Sequence, residues 1–144
     1  KVPASSKCDQ PVCQTDLLAT IATITGQKLA DDEGEDSHSF EAALTNPTAA
    51  LNRVPMIHHS AQGGFAIRDG DWKLVMETPK SKRQLYDLAK DPREQKDLIR
   101  QHPEIATQLQ EKITKIVLNG RSTDGKPQSN DTSWWSNLIW MEKF

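Results

Sequence analysis

The chain has 144 residues and a net charge of −2, and about a fifth of its residues are Leu, Ile, Val or Phe. A near-neutral chain lacks the basic surface that nucleic-acid binding requires, and no apolar run approaches the roughly 20 residues of a membrane span. The composition predicts a folded domain without nucleic-acid contacts or a membrane span, whose core is partly completed by residues outside this sequence.

Two cysteines lie near the start of the sequence, at Cys8 and Cys13. Their spacing is compatible with a small disulfide loop or with two unpaired thiols, and both alternatives stay open. Two cysteines do not complete a zinc site without further ligands, so no metal site is predicted here.

The first predicted helix opens at Thr15-Asp16 and ends at Gly26, a residue type that commonly terminates helices. Its apolar residues recur on one face, which therefore needs a surface to pack against. They are Leu17, Leu18, Ile21, Ala22 and Ile24. The acidic run 31–38 lacks the ligand spacing of a calcium loop and predicts a solvated loop, followed by a short helix over 40–44.

Four antiparallel strands are predicted in the middle of the chain. They are 56–60, 65–68, 72–76 and 84–88. Asp69-Gly70 is a dipeptide preferred in two-residue hairpin loops, and this loop predicts that Ile67 pairs with Trp72 and Phe65 with Leu74. The same pattern places these four apolar side chains on one face of the sheet.

The last third of the chain begins with a turn at Asp91-Pro92, which predicts a short helix directly after it. The longest helix starts at Pro103, a favoured first helical residue, and its apolar stripe predicts packing across the apolar face of the sheet. The fold class is therefore α+β: a small four-stranded antiparallel sheet packed by a long C-terminal helix and preceded by one further helix. Three tryptophans in the tail, 130–144, form either a packed patch or an aromatic binding platform.

Four stretches of the sequence resemble the C-terminal part of bacterial arylsulfatases in their order and spacing. They are TDLLATIATITG, HHSAQGGFAIRDGDWKLV, LYDLAKDPREQKDL and NGRSTDG, and they fall within about residues 11–127. The resemblance is to the sulfatase family of the alkaline-phosphatase superfamily. It implies that 1–47 is the tail of a large α/β sulfatase domain, to which the first helix belongs, and that 53–144 is the C-terminal sulfatase subdomain.

The resemblance also implies that the full-length protein hydrolyses a sulfate ester, in the periplasm or outside the cell. Sulfatases use calcium and a formylglycine, which is made from the cysteine of a Cys-x-Pro-Ser-Arg motif. Neither Cys8 nor Cys13 begins such a motif, and the upstream calcium-binding motifs are absent. We therefore predict no catalytic residue, metal ligand or cofactor in this segment, which is expected to be inactive alone and to supply pocket wall and domain packing.

His58 and His59 are the candidate substrate-binding residues. Neighbouring strand residues point to opposite faces, so only one of the two imidazoles can line a pocket. The resemblance implies that this histidine contacts the sulfate ester, such as a sulfated carbohydrate, by donating a hydrogen bond to a hydroxyl or sulfate oxygen. His59 is favoured because it shares a face with Ile57, although the pattern does not identify which face is which. A purely structural role in the sheet is the alternative.

Two other functions remain open at this point. One is a non-catalytic module that binds a carbohydrate or a protein. The other is a segment of a phosphatase-type relative, because that superfamily shares the fold.

Overall fold

A computed structural model describes residues 2–51, 53–131 and 135–141 of the chain. The helices and strands, in chain order, are α1 (Leu17–Thr25), α2 (Glu41–Thr45), β1 (Met56–His59), β2 (Phe65–Asp69), β3 (Trp72–Val75), β4 (Gln84–Asp87) and α3 (Pro103–Asn119). Short 3-10 turns span Gln14–Asp16 and Ile139–Met141. Within the described ranges, no helix is long and apolar enough to span a membrane.

The chain divides into two compact units. One unit, Lys1–Val54 with Gly120–Gln128, is called the N-terminal unit. The other, Pro55–Asn119 with Ser129–Phe144, is called the sheet unit.

The sheet unit confirms the predicted α+β fold. Its four strands pair antiparallel in the order β1-β2-β3-β4, and α3 packs against β2 and β3. Their buried side chains, joined by three from the tail, form one core: Ile67, Leu74, Met76, Leu85, Ala106, Leu109, Ile113, Leu138, Trp140 and Met141. Burying a Leu or Ile side chain completely contributes about 1.5–3 kcal/mol, so this core is the main source of stability in the unit.

The predicted hairpin register is wrong: the loop lies one residue further along the chain, and each cross-strand partner differs from the predicted one by two residues. Ile67 lies opposite Leu74 and Asp69 opposite Trp72, so the two loop residues are Gly70 and Asp71. Gly70 adopts φ +58 at the first loop position, whereas Asp71 is not among the residues with positive φ, as in a type II′ turn. The predicted set of side chains stays on one face, because a change of two residues in the pairing preserves the alternation of side chains.

The short helix predicted after Asp91-Pro92 is also wrong: 93–101 is a run of turns. One carboxylate oxygen of Asp91 accepts the backbone N–H groups of Gln95 and Lys96, at 2.7 and 2.8 Å. The backbone N–H of Leu98 then donates to the carbonyl of Leu85 in β4 at 2.8 Å. These bonds satisfy the backbone without a helix and fasten the loop to the edge of the sheet.

The N-terminal unit is held together by polar contacts. Gly26, at φ +71, ends α1 as predicted. Arg121 is almost completely buried; its Nη1 donates to the Asp31 carbonyl at 2.8 Å and contacts the Asp31 carboxylate at 3.1 Å. The backbone N–H of Ser122 donates to the Asp36 carboxylate at 2.9 Å. The acidic run predicted as a solvated loop is therefore anchored by the segment that follows α3.

The apolar stripe of α1 is exposed within the N-terminal unit. Thr20 and Ala22 point into the unit, whereas Leu17, Leu18 and Ile21 are 49%, 51% and 57% exposed. An exposed apolar stripe of this kind is typical of a surface that packs against another polypeptide segment. Cys8 and Cys13 are both free thiols, which decides between the two alternatives left open by their spacing.

Candidate functional site

Strand β1 delivers the two candidate histidines to opposite faces of the sheet. It lies at an edge, paired on one side with β2. His59 lies opposite Phe65, on the face that packs against α3, and His58 lies opposite Ala66, on the other face. Both residues are exposed. The predicted alternation is confirmed, and the faces are now identified.

His58 borders a small depression on the face away from α3, which we call the His58 depression. Its volume is about 340 Å³, and it is lined by His58, Arg68, Lys73, Leu88, Pro92 and Glu94. Arg68 and Lys73 are direct cross-strand neighbours. Lys73 Nζ donates to Glu94 Oε1 at 2.6 Å, while Arg68 Nε donates to the carbonyl of Gly70 at 3.0 Å. Two cations and one carboxylate therefore surround the imidazole.

The electrostatics of the His58 depression favour a neutral imidazole near pH 7. Desolvation of the ring lowers the pKa of His58, and the charges of Lys73 and Arg68 lower it further. The carboxylate of Glu94 opposes this change. A neutral imidazole carries one N–H donor and one acceptor, which suits it to bind a hydroxyl or an oxyanion.

Glu94 has an unusual backbone conformation, at φ +55. Residues other than glycine adopt positive φ rarely and at a cost of order 1 kcal/mol. The turn that follows Asp91 imposes this conformation, because the N–H of Glu94 donates to the Asp91 carbonyl at 3.1 Å. The loop thereby holds the Glu94 carboxylate against Lys73 in the depression.

His59 belongs to a different group, which we call the aromatic cluster and which consists of His59, Phe65, Trp135 and Trp140. The ring of His59 stacks on Phe65 with centroids 4.5 Å apart and planes 19° apart. Trp135 lies 5.4 Å from His59, and Trp140 meets Phe65 edge-on at 5.7 Å. His59, favoured from the sequence as the pocket residue, therefore lies among aromatic rings, and His58 lies among charges.

The two described tryptophans of the tail differ in burial, and the packed role predicted for the tail is confirmed for Trp140. Trp140 is 5% exposed and belongs to the core, whereas Trp135 is 44% exposed. Trp134 lies outside the described residues.

The N-terminal unit contains a polar cluster that sequence reasoning missed. Asp16, predicted only to open a helix, is 1% exposed and accepts the backbone N–H groups of Cys13 and His38 at 2.9 and 3.1 Å. Its carboxylate also pairs with Nη2 of Arg53 at 3.1 Å. Asp16 and Arg53 are 37 positions apart in the sequence, and no local pattern links them. The pair could therefore not be predicted from the sequence.

Arg53 is the least satisfied member of that cluster. Its Nε and Nη1 atoms are buried and have no hydrogen-bond acceptor among the described residues. It borders a cavity of about 250 Å³ together with His38 and Phe40. Burial lowers the pKa of His38, the charge of Arg53 lowers it further, and the nearby carboxylates of Asp16, Asp36 and Asp124 oppose the change.

The described residues do not fit the two groups that sulfatases use for catalysis. Across 2–51, 53–131 and 135–141, no group of three or more His, Cys, Asp or Glu side chains is arranged to hold a metal ion. The thiol of Cys13 lies 2.7 Å from the hydroxyl of Thr15 and 3.7 Å from Arg53 Nη2, and no formylglycine motif follows it. The His58 depression can therefore bind a polar or anionic group, but it contains no evident nucleophile.

One curated protein of known activity is similar to this chain, and no protein-family model matches it. The relative is the N-acetylgalactosamine-6-O-sulfatase of Bacteroides thetaiotaomicron, with 27% identity over 117 residues. The alignment covers 72% of this chain and 23% of the relative.

Solved structures share the fold. A Bacteroides thetaiotaomicron protein, described in work on the metabolism of multiple glycosaminoglycans, is 25% identical with a TM-score of 0.64, over 70% of this chain and 24% of that one. A protein solved in complex with k-i-k-neocarrahexaose is 21% identical with a TM-score of 0.64, over 88% of this chain and 29% of that one. At that identity the second likeness shows the fold alone.

The chain thus spans about a quarter of the length of the relatives that it matches. It is similar to them over most of its own length, as the four sequence stretches predicted. The chain is therefore similar to bacterial sulfatases over most of its own length, as expected of a segment from the C-terminal part of such a protein.

Proposed function

We propose that this chain is the C-terminal part of a sulfuric ester hydrolase that acts on a sulfated carbohydrate outside the cytoplasm. The observation that carries the proposal is the similarity to an N-acetylgalactosamine-6-O-sulfatase over 117 residues, in a chain that also has the fold of sulfatase structures. In this proposal the nucleophile and the metal ligands belong to the remainder of the protein, and calcium and formylglycine supply the sulfate-ester chemistry there.

The role of the segment is to contribute substrate contacts from the His58 depression. The neutral imidazole of His58 donates a hydrogen bond to a hydroxyl or sulfate oxygen, and Arg68 supplies positive charge beside it. Lys73 is already paired with Glu94, so it acts mainly by fixing the shape of the depression. This assignment prefers His58 over His59, because His59 lies against Phe65 and has no charged partner in the aromatic cluster.

The N-terminal unit completes the proposal at the level of domains. We assign 1–47 to the tail of the large α/β domain and 53–144 to the C-terminal subdomain. The exposed stripe of α1 supports packing against the remainder of the large domain.

The test is hydrolysis of N-acetylgalactosamine 6-sulfate by the full-length protein that carries this segment. We expect turnover by the full-length protein and none by the 144-residue chain alone. His58→Gln should lower kcat/KM by ~5- to 150-fold, the equivalent of about 1–3 kcal/mol for a lost hydrogen bond to a charged group, with little change in melting temperature.

Two further variants serve as matched controls for His58→Gln. His102→Gln, also on the sheet unit but outside the His58 depression, should leave kcat/KM unchanged. His59→Gln should act mainly on stability through its stacking on Phe65. Equal effects of the His58 and His59 substitutions on stability alone would refute the substrate contact.

The two rival functions predict different outcomes. A phosphatase-type relative would cleave the corresponding phosphate ester in preference to the sulfate ester. A binding module would bind the sulfated sugar while the full-length protein hydrolysed neither ester, and that result would overturn the proposal.

A further inference from the structure

We propose that the aromatic cluster is a carbohydrate-binding surface that stacks against a pyranose ring of the substrate. The choice of a carbohydrate rests on the proposed function, while the surface itself follows from the geometry of the rings. It lies on the face of the sheet that bears His59, opposite the His58 depression. It is therefore a binding surface separate from the His58 depression.

The base of the cluster is fixed in the core. Trp140 is 5% exposed and meets Phe65 edge-on, at 5.7 Å between centroids. Phe65 itself is partly buried and packs against the core, and it carries His59 on its face at 4.5 Å. Edge-on and offset contacts of this kind stabilise an aromatic pair by about 0.5–1.5 kcal/mol beyond burial, so the rings hold one another in place.

Trp135 is presented to solvent by an anchored segment. Three tail residues are buried in the core: Leu138, Trp140 and Met141. The N–H of Leu138 donates to the Trp135 carbonyl at 2.9 Å. The side chain of Asn137 occupies the space beside Gly63, where a Cβ would collide with Asn137 Nδ2. The indole, 44% exposed, is therefore preorganised above Phe65 and is not at the end of a loose tail.

The composition of this surface fits a sugar ring. A pyranose has one face of C–H bonds and a rim of hydroxyl groups, so it needs an apolar plane with a few polar groups beside it. Trp135 supplies the plane, and Asn137, two residues further along the same segment, carries a polar amide. Among the ion pairs between described residues, none includes a member of the aromatic cluster. The surface therefore favours an uncharged part of the ligand.

The experiment is a titration of the 144-residue chain with unsulfated N-acetylgalactosamine, its 6-sulfate and sodium sulfate, with calorimetry to measure the affinity of every variant and NMR of the tryptophan indole N–H groups to locate the binding site. We expect both sugars to shift the Trp135 signal and sodium sulfate to leave it unchanged. Trp135→Ala should weaken binding of the unsulfated sugar by about tenfold, and Trp135→Phe by about threefold because a smaller ring still stacks. Trp72→Phe is the matched control, since Trp72 contacts His102 in a comparable tilted pair elsewhere in the unit.

The unsulfated sugar separates this inference from the proposed function. Binding that persists in His58→Gln but is weakened in Trp135→Ala supports the aromatic surface whether or not the full-length protein hydrolyses a sulfate ester. Unchanged binding in Trp135→Ala, or an equal shift of the Trp72 signal, would overturn the inference even if hydrolysis is observed. Trp140 is buried in the core, so its indole signal reports whether each variant is still folded.

Discussion

The two units of the chain reach a folded state by different means. The sheet unit buries a continuous set of apolar side chains, among them Ile67, Leu74 and Ile113, none of which has any exposed surface. The N-terminal unit buries Asp16 and Arg121 and leaves the apolar side of α1 in solvent. The first arrangement is typical of a self-sufficient core, and the second is typical of a piece whose apolar surface is completed elsewhere.

This difference bears directly on function. A rigid sheet holds the His58 depression and the aromatic cluster in defined positions, which a binding site requires. The N-terminal unit contributes buried polar networks, and each member of such a network must find its partner or destabilise the fold. We therefore expect the two units to respond differently to comparable substitutions.

The largest effect is expected in the N-terminal unit. Asp16→Ala should destabilise it by about 3–5 kcal/mol, because the substitution leaves the buried Arg53 guanidinium without its carboxylate. Hydrogen exchange of the α1 amides measures the loss locally. Asp16→Asn, whose single amide oxygen can still accept one of the two N–H groups of Cys13 and His38, should cost less. Equal protection of α1 in the wild type and Asp16→Ala would show that the polar cluster does not hold this unit together.

An intermediate effect is expected from a matched pair of leucines. Leu74→Ala, at a position with no exposure, should cost about 2–5 kcal/mol in chemical denaturation. Leu17→Ala, at a position that is 49% exposed, should change stability by less than about 0.5 kcal/mol in this chain.

The same leucine pair also sharpens the proposed domain arrangement. In the full-length protein Leu17→Ala should cost about 2–3 kcal/mol, because the stripe of α1 is then buried. A cost in the full-length protein as small as that in the 144-residue chain would exclude packing on this face.

The smallest effect is expected from pH. The pKa of His58 is lowered in the folded state, so folding disfavours the charged imidazole. Its contribution is fully present above the unfolded value of about 6.5 and is lost as the pH falls below it. The stability of the sheet unit should therefore decrease between pH 7.5 and 5.5, and His58→Gln should remove part of that decrease.

The N-terminal unit should show the same direction through His38, whose pKa is also lowered. The matched variant His38→Gln should reduce the loss in that unit and leave the sheet unit unaffected. A stability that rises on acidification in both units would contradict the two assignments.

Local sequence pattern was sufficient to predict the four strands and the three helices of the chain, although it also predicted one helix that does not form. The 3.6-residue period placed the helix from Pro103 to Asn119, and the alternation around Gly70 placed two strands of the sheet. The hairpin register was predicted wrongly, because Gly70 can take the first or the second loop position and both choices keep the apolar face intact. A helix was predicted after Asp91 where turns form, because the Asp91 carboxylate accepts two backbone N–H groups and so competes with helix formation.

For the candidate site, the sequence alone determined that His58 and His59 point to opposite faces, because the alternation of a strand is a property of the local backbone. Only the tertiary structure decided which face meets α3, and with it which histidine joins Arg68 and Lys73 and which joins Phe65 and Trp135. The pairing of Asp16 with Arg53 depended in the same way on the fold. Contacts between residues far apart in the chain depend on how the elements pack, and no local period encodes that packing.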